Sequence, residues 1–250
     1  MKLSSQLLMT NSSGSIELWS TQAEVRNPNG YCLFKIGRKT EHIGVILALE
    51  LNKGDRTRAM TGASDGCLKI WDMGAGDIMS FNTFRNAHAD SITGISSSHD
   101  SPLFATCSRD KSFCIWDERL TRPIVGFNEG HNYAYTVCYW SDVDECKGHI
   151  LLGDEAGNIH SVDMRNIKEF TSSINVHKTP IHRIKLRKNL VTVLGQSNVI
   201  QVLNAIKDFE QCYRHSDSKD FVRDVCWTTD NSFCSTAWDD KQLKTHVVLL

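Results

Sequence analysis

The chain has 250 residues, and its 28 Lys and Arg against 29 Asp and Glu leave a formal net charge of -1, which excludes a general basic field for nucleic acid or an anionic membrane. A hydrophobic fraction of 40% with 23% charged residues is that of a folded globular chain, and no apolar run approaches the ~20 residues of a membrane helix. Residues 1–10 lack the long apolar segment of a signal peptide, so a soluble, intracellular protein is expected.

Taken in order, Gln6–Thr10 and Ile16–Trp19 read as strands around the turn Ser12-Ser13-Gly14, and the polar loop Asn27-Pro28-Asn29-Gly30 leads to an outer strand over Tyr31–Ile36. Val45–Leu51 is apolar on both faces, as a strand buried between sheets should be. Arg58–Gly62, Cys67–Asp72 and Ile78–Phe84 follow it. The same order returns as Ile92–Ser96, Leu103–Cys107, Phe113–Asp117 and Pro123–Phe127. It returns again as Tyr135–Trp140, Ile150–Gly153, Asn158–Asp163 and Phe170–Ile174, then as Ile181–Leu186, Leu190–Leu194, Val199–Asn204 and Phe209–Tyr213. Phe221–Trp227, Phe233–Ala237 and Leu243–Val248 complete the chain.

Thr61–Asp72 (TGASDGCLKIWD) and Thr106–Asp117 (TCSRDKSFCIWD) keep Thr, Asp and Trp in one register. Aligned on that Trp, the equivalent positions are Trp19, Trp71, Trp116, Val162, Leu203 and His246, spaced 41 to 52 residues apart. A turn residue precedes each by five: Gly14, Gly66, Lys111, Gly157, Asn198 and Lys241. Four-strand units at this period, closing on Trp-Asp, are the signature of blades in an all-β WD40 propeller. One domain over residues 1–250 is expected, with units near 1–36, 43–84, 88–127, 131–174, 177–213 and 215–250. The first lacks an inner strand and the last an outer one, so a ring missing an N-terminal blade, or left open, is expected.

His42, Thr61, Asp65 and Trp71 fit a buried chain in which Asp accepts from His, His meets Thr and Thr meets the indole; His88, Thr106, Asp110 and Trp116 repeat it. A His beside a carboxylate and a hydroxyl also suits a hydrolase. Duplication at the repeat period favours architecture over catalysis, and Asp65→Ala or Asp110→Ala should cost ~1–3 kcal/mol by stranding buried donors. The fourth unit, with Leu152, Ala156 and Val162, is expected to rely on packing; the sixth keeps Thr236 and Asp240 beside His246. The nine cysteines include no Cys-x-x-Cys, and those inside predicted strands (Cys67, Cys114, Cys138, Cys226 and Cys234) read as small buried hydrophobes, with no metal site and no cofactor expected.

Two loop clusters carry aromatic and charged residues suited to protein binding: Tyr133 and Tyr135 within His131–Tyr135, and Phe221, Arg223 and Asp224 near Trp238 and Asp239. Burial in the core is the alternative for Tyr135, Phe221 and Trp238. Arg183, Lys185 and Arg187 fall on one face of a strand, which fits an acidic peptide or a solvated channel. Trp116-Asp117-Glu118-Arg119 matches the Trp-Asp-x-Arg pattern of substrate receptors of cullin-4 type ubiquitin ligases, with Val162-Asp163-Met164-Arg165 as an echo.

Gly153–Asn158, Val162-Asp163, Asp220–Trp227, Trp238-Asp239 and His246-Val247-Val248 together resemble the methylosome WD-repeat subunit family. That resemblance implies a seven-bladed propeller without catalytic activity, acting in cytoplasm and nucleus. It further implies binding to the protein arginine methyltransferase that makes symmetric dimethylarginine and presentation of Sm proteins and histones, linking the chain to snRNP assembly. Three additional residues around Asp217–Lys219 depart from the family at the last blade-opening loop. Expected partners include neither membrane nor nucleic acid. The readings weighed against this adaptor are the ubiquitin-ligase receptor and, from the enzyme class, a hydrolase using a His-Asp network.

Overall fold

In the computed structural model, which describes residues 5–24, 27–74, 76–127, 132–141, 148–238 and 243–248, every regular element among the described residues is a β-strand. The strands form six antiparallel sheets in sequence order. The first holds β1 (Ser5–Thr10), β2 (Ser15–Glu24) and β3 (Asn27–Thr40). The second holds β4 (Ile46–Leu51), β5 (Arg58–Ala63), β6 (Leu68–Asp72) and β7 (Met79–Phe84). The third comprises β8 (Ile92–Ser97), β9 (Leu103–Ser108), β10 (Phe113–Asp117) and β11 (Val125–Phe127), and the fourth β12 (Tyr135–Trp140), β13 (His149–Asp154), β14 (Asn158–Asp163) and β15 (Asn166–Asn175). The fifth has β16 (Ile181–Arg187), β17 (Leu190–Gly195), β18 (Ile200–Asn204) and β19 (Glu210–His215); the sixth has β20 (Val222–Trp227), β21 (Ser232–Ala237) and β22 (Leu243–Val247). This is the all-β WD40 propeller architecture, with three-stranded first and last sheets.

Each sheet buries itself against the next, because side chains alternate between its two faces. On β10, Cys114 and Trp116 point back into a core shared with Met60, Leu68, Ile70 and Phe84 of the second sheet. Phe113 and Ile115, one residue out of phase, point forward onto Tyr135, Cys138 and Leu152 of the fourth. The pattern repeats at the other three boundaries: Ile16 and Leu18 against Trp71 and Ile78, Leu151 and Ile159 against Ile181 and Ile184, and Leu190 and Val202 against Val225 and Phe233. The five positions from Trp71 through His246 that align on the repeat are all buried, so the period marks one place in the fold even where Trp is lost.

The turn residue of the repeat has a structural reason. Gly14, Gly66 and Gly157 have φ of 73°, 69° and 86°, and Lys111 adopts the same left-handed conformation at 68°. A Cβ on Gly14, Gly66 or Gly157 would sit 2.4, 2.4 or 1.9 Å from the carbonyl oxygen of His42, His88 or His177, the residue that opens the next sheet. The turn thus holds the entry loop of its neighbour by backbone contact.

Three expectations need revision. The strand over Val45–Leu51 is not buried on both faces: Val45, Leu47 and Leu51 are exposed, with Leu47 lining a cavity, while Ile46 and Ala48 face the core. The loop over Asn27–Gly30 belongs to β3, because the β2–β3 ladder continues from Ser15↔Thr40 as far as Glu24↔Asn27. Of the strand cysteines read as buried, Cys226 is exposed and Cys67 and Cys234 are half-buried, whereas Cys114 and Cys138 lie in the core.

Candidate protein-docking face

The first strands of sheets two to five surround a common cavity of about 330 Å³ lined by Leu47, Glu50, Lys53, Tyr139 and Lys185 among others. At the ends where those strands begin, a wider mouth of about 440 Å³ is lined by Ser64, Arg109, Thr136, His182 and Gln196. All four sheets therefore present their strand starts on one face. The sixth sheet joins it through the His182 ring, 4.6 Å from that of Phe221.

On this face Phe221, Arg223 and Trp238 come together. The Trp238 amide donates to the Phe221 carbonyl at 2.9 Å, pinning the end of β21 to the start of β20. The Arg223 guanidinium lies 4.6 Å from the Trp238 ring centroid and 5.4 Å from that of Phe221. Trp238 is 66% exposed, so a large aromatic surface is held rigid and open to solvent. Asp224 is drawn sideways into a 3.2 Å ion pair with Arg183. Tyr133, 45% exposed, stands beside the start of β12 on the same face. Asp239 lies outside the described residues, as does His131.

Tyr135 must be removed from the docking set. It is fully buried, packed edge-on against Phe113 and His160, because the first position of β12 faces the core between the third and fourth sheets. Burial pushes its hydroxyl pKa well above the ordinary phenol value. The basic stripe on β16 also changes meaning: Arg183 pairs with Asp224, Arg187 with Asp230 at 3.2 Å, and Lys185 lines the cavity. Those arginines bind the sixth sheet to the fifth instead of waiting for an acidic peptide.

Arg119 lies on the opposite face, since β8, β9 and β10 alternate in direction and β10 ends where β8 ends. Its guanidinium is exposed but forked onto Asp117 at 2.8 and 2.5 Å. Arg165 makes the same fork onto Asp163 at 3.0 and 2.8 Å. A motif that recurs with one geometry in two sheets is a feature of the turn.

The tetrads are interior. Thr61 Oγ1 accepts from Trp71 Nε1 at 2.8 Å and meets His42 Nε2 at 2.7 Å; Thr106 Oγ1 does the same with Trp116 and His88, at 2.8 Å each. They differ at the carboxylate. His88 Nδ1 contacts Asp110 at 3.2 Å and Ser112 Oγ at 2.8 Å, whereas His42 Nδ1 is 3.8 Å from Asp65. The third sheet has Ser112 where the second has Cys67, and that serine closes the network. Both imidazoles have no side-chain exposure, which denies them contact with a substrate.

The fourth sheet does not depend on packing alone. Asp154, fully buried, accepts from Asn158 Nδ2 at 2.8 Å and contacts His160 Nε2 at 3.1 Å, while His160 Nδ1 meets Ser173 Oγ at 2.8 Å. These hydrogen bonds overcome burial and hold the carboxyl pKa at about 2. Sequence reasoning missed this network because its His lies six residues after the Asp, outside the repeat's register. In the sixth sheet Ser235, not the exposed Thr236, contacts His246 Nε2 at 2.7 Å, and Tyr213 OH contacts Nδ1 at 3.0 Å.

Comparison with known proteins agrees with this architecture. The family model "WD domain, G-beta repeat" matches residues 79–117. The fold is that of a WD40 β-propeller. Within that class the chain resembles the methylosome WD-repeat family along nearly its whole length. It is 28% identical to Protein valois of Drosophila melanogaster over 97% of this chain and 68% of that protein. To Methylosome protein WDR77 of Xenopus laevis it is 25% identical over 96% of this chain and 70% of that one. A more distant similarity, 27% over 80% of the chain and 65% of the relative, is to the Peroxisomal targeting signal 2 receptor of Schizosaccharomyces pombe.

Proposed function

We propose that the chain is a non-catalytic adaptor of the methylosome type, working in cytoplasm and nucleus, that binds a symmetric-dimethylating protein arginine methyltransferase and presents Sm proteins and histones to it. The observation that carries this reading is the rigid, exposed cluster of Phe221, Arg223 and Trp238 on the face where the first strands begin. Aromatic and Arg residues of this kind concentrate binding energy at protein interfaces, and a cluster ordered before binding loses little entropy when covered. The similarity to Methylosome protein WDR77 supports the class of partner.

The test is capture of the methyltransferase by the purified chain, with substrate methylation as a second readout. Trp238→Ala and Arg223→Ala should each weaken capture at least tenfold while leaving the melting temperature within ~1 °C, since both side chains reach solvent. Recovery of a cullin-ligase adaptor without methyltransferase, lost in Arg119→Ala, would replace this reading by the ligase-receptor one.

A further inference from the structure

The gap in the tetrad of the second sheet has the chemistry of a cation site. His42 Nδ1 is buried, belongs to a residue 4% exposed and has no hydrogen-bond partner. It faces Asp65 Oδ1 at 3.8 Å, too long for a hydrogen bond. The Cys67 thiol completes the group: one ligand atom from each of His42, Asp65 and Cys67 lies within 4.8 Å of the others. Tetrahedral coordination at ~2.0–2.3 Å from a central ion needs ligand atoms ~3.3–3.7 Å apart, which a small rotamer adjustment supplies.

The surrounding atoms prepare this geometry. In the tautomer whose Nε2–H donates to Thr61 Oγ1, at 2.7 Å, Nδ1 directs its lone pair at the gap, and the Thr61 and Trp71 contacts fix the ring. Asp65 is oriented by the amides of Ile43 and Cys67, at 3.2 and 2.9 Å. Of the cations near the thiol, Lys69 and Arg85, Lys69 is paired with Glu41 at 3.0 Å. The Cys67 sulfur touches only weakly, at 4.0 Å, the carbonyl of Leu68. The third sheet is an internal comparison, because there Ser112 and Asp110 already satisfy the imidazole and a serine stands where the second sheet has Cys67.

We propose that His42 Nδ1, the Asp65 carboxylate and Cys67 Sγ bind a divalent cation, with Zn²⁺ the best match and water as the fourth ligand. Imidazole, carboxylate and thiolate together select this borderline-soft ion over Mg²⁺ or Ca²⁺. As the S–metal bond forms, the thiol proton passes to solvent, so binding releases one proton and strengthens as pH rises.

The full chain, stripped with chelator, is titrated with Co²⁺ as a spectroscopic probe and then with Zn²⁺ in competition. The expected result is a thiolate-to-cobalt charge-transfer band that Zn²⁺ removes. Cys67→Ser should abolish the band and lower Zn²⁺ affinity at least tenfold, Asp65→Asn should weaken both, and Cys226→Ser, at an exposed thiol in the sixth sheet, should change neither. Folding is not in question for Cys67→Ser, since it recreates the third sheet's arrangement, and its metal-free melting temperature should be no lower than that of the parent. Cobalt binding without thiolate character, or a Cys67→Ser protein of unchanged affinity, overturns the proposal.

Discussion

Asp65 and Asp110 occupy the same place in the repeat but perform different amounts of electrostatic work. Asp110 contacts His88, accepts from the Ser112 hydroxyl and receives the amides of Ala89 and Ser112, and these bonds overcome its burial to hold its carboxyl well below the usual range. Asp65 receives the amides of Ile43 and Cys67 and stands 3.8 Å from His42. Removing a carboxylate costs most where it leaves several buried donors stranded, so Asp110→Ala should destabilise by ~2–3 kcal/mol and Asp65→Ala by ~1 kcal/mol. Urea unfolding of the two variants checks the order; equal losses would mean that the tetrad acts through the Thr and Trp contacts alone. A sequence pattern that treats the two aspartates as copies cannot show this, because the difference lies in a neighbour, Ser112 against Cys67, outside the four pattern residues.

At the scale of the element, the link between consecutive sheets is as important as the ladder within one. Gly157 has φ of 86°, and a Cβ there would fall 1.9 Å from the His177 carbonyl oxygen, between backbones that have no room to separate. Gly157→Ala should therefore cost ~2–4 kcal/mol, from left-handed strain plus displacement of the entry to the fifth sheet. Circular dichroism melting measures the loss, and an unchanged transition would show that the entry loop yields freely. Most of this architecture is legible in the sequence: strand order follows from alternation, and the repeat register from turn residues, set between two strands of one sheet, that precede each aligned position by five. What remained hidden depended on contacts across sheets. Tyr135 looked like an exposed loop aromatic because nothing local reveals that Phe113 and His160 cover it. The Asp154–His160 network escaped because its partners come from β13, β14 and β15 in a register of their own. The sequence sets Phe221, Arg223 and Trp238 near one another only as candidates for protein binding; the cation held between two rings, and the diversion of Asp224 to Arg183, required the fold.

For the molecule as a whole, buried titratable groups in the fourth, fifth and sixth sheets shape its response to acid. Burial, aided by the charges of His215 and Lys244, lowers the His246 pKa to about 4 from the ordinary 6.5. Between these values an unfolded histidine has taken up its proton while folded His246 has not, so the unfolded state binds more protons and stability falls as pH falls. Burial lowers His177 and His182 too, and their contributions have the same sign. Asp154, with its pKa of about 2, adds a further loss below the ordinary 3.8 as its unfolded counterpart protonates first. The unfolding free energy should accordingly be greatest at about pH 7–8 and decline from about 6.5 towards 4, a decline that Glu50, its carboxyl pKa raised by burial, partly offsets, with a second decline below that. Replacing His246 by Leu, the residue the fifth sheet carries at the aligned position 203, removes one titrating group from the first decline and should make it shallower. Chemical denaturation across this pH range in parent and variant measures the two slopes; identical slopes would mean that folded His246 takes up its proton at the same pH as the unfolded chain, and would contradict the buried, uncharged ring stacked on Phe233.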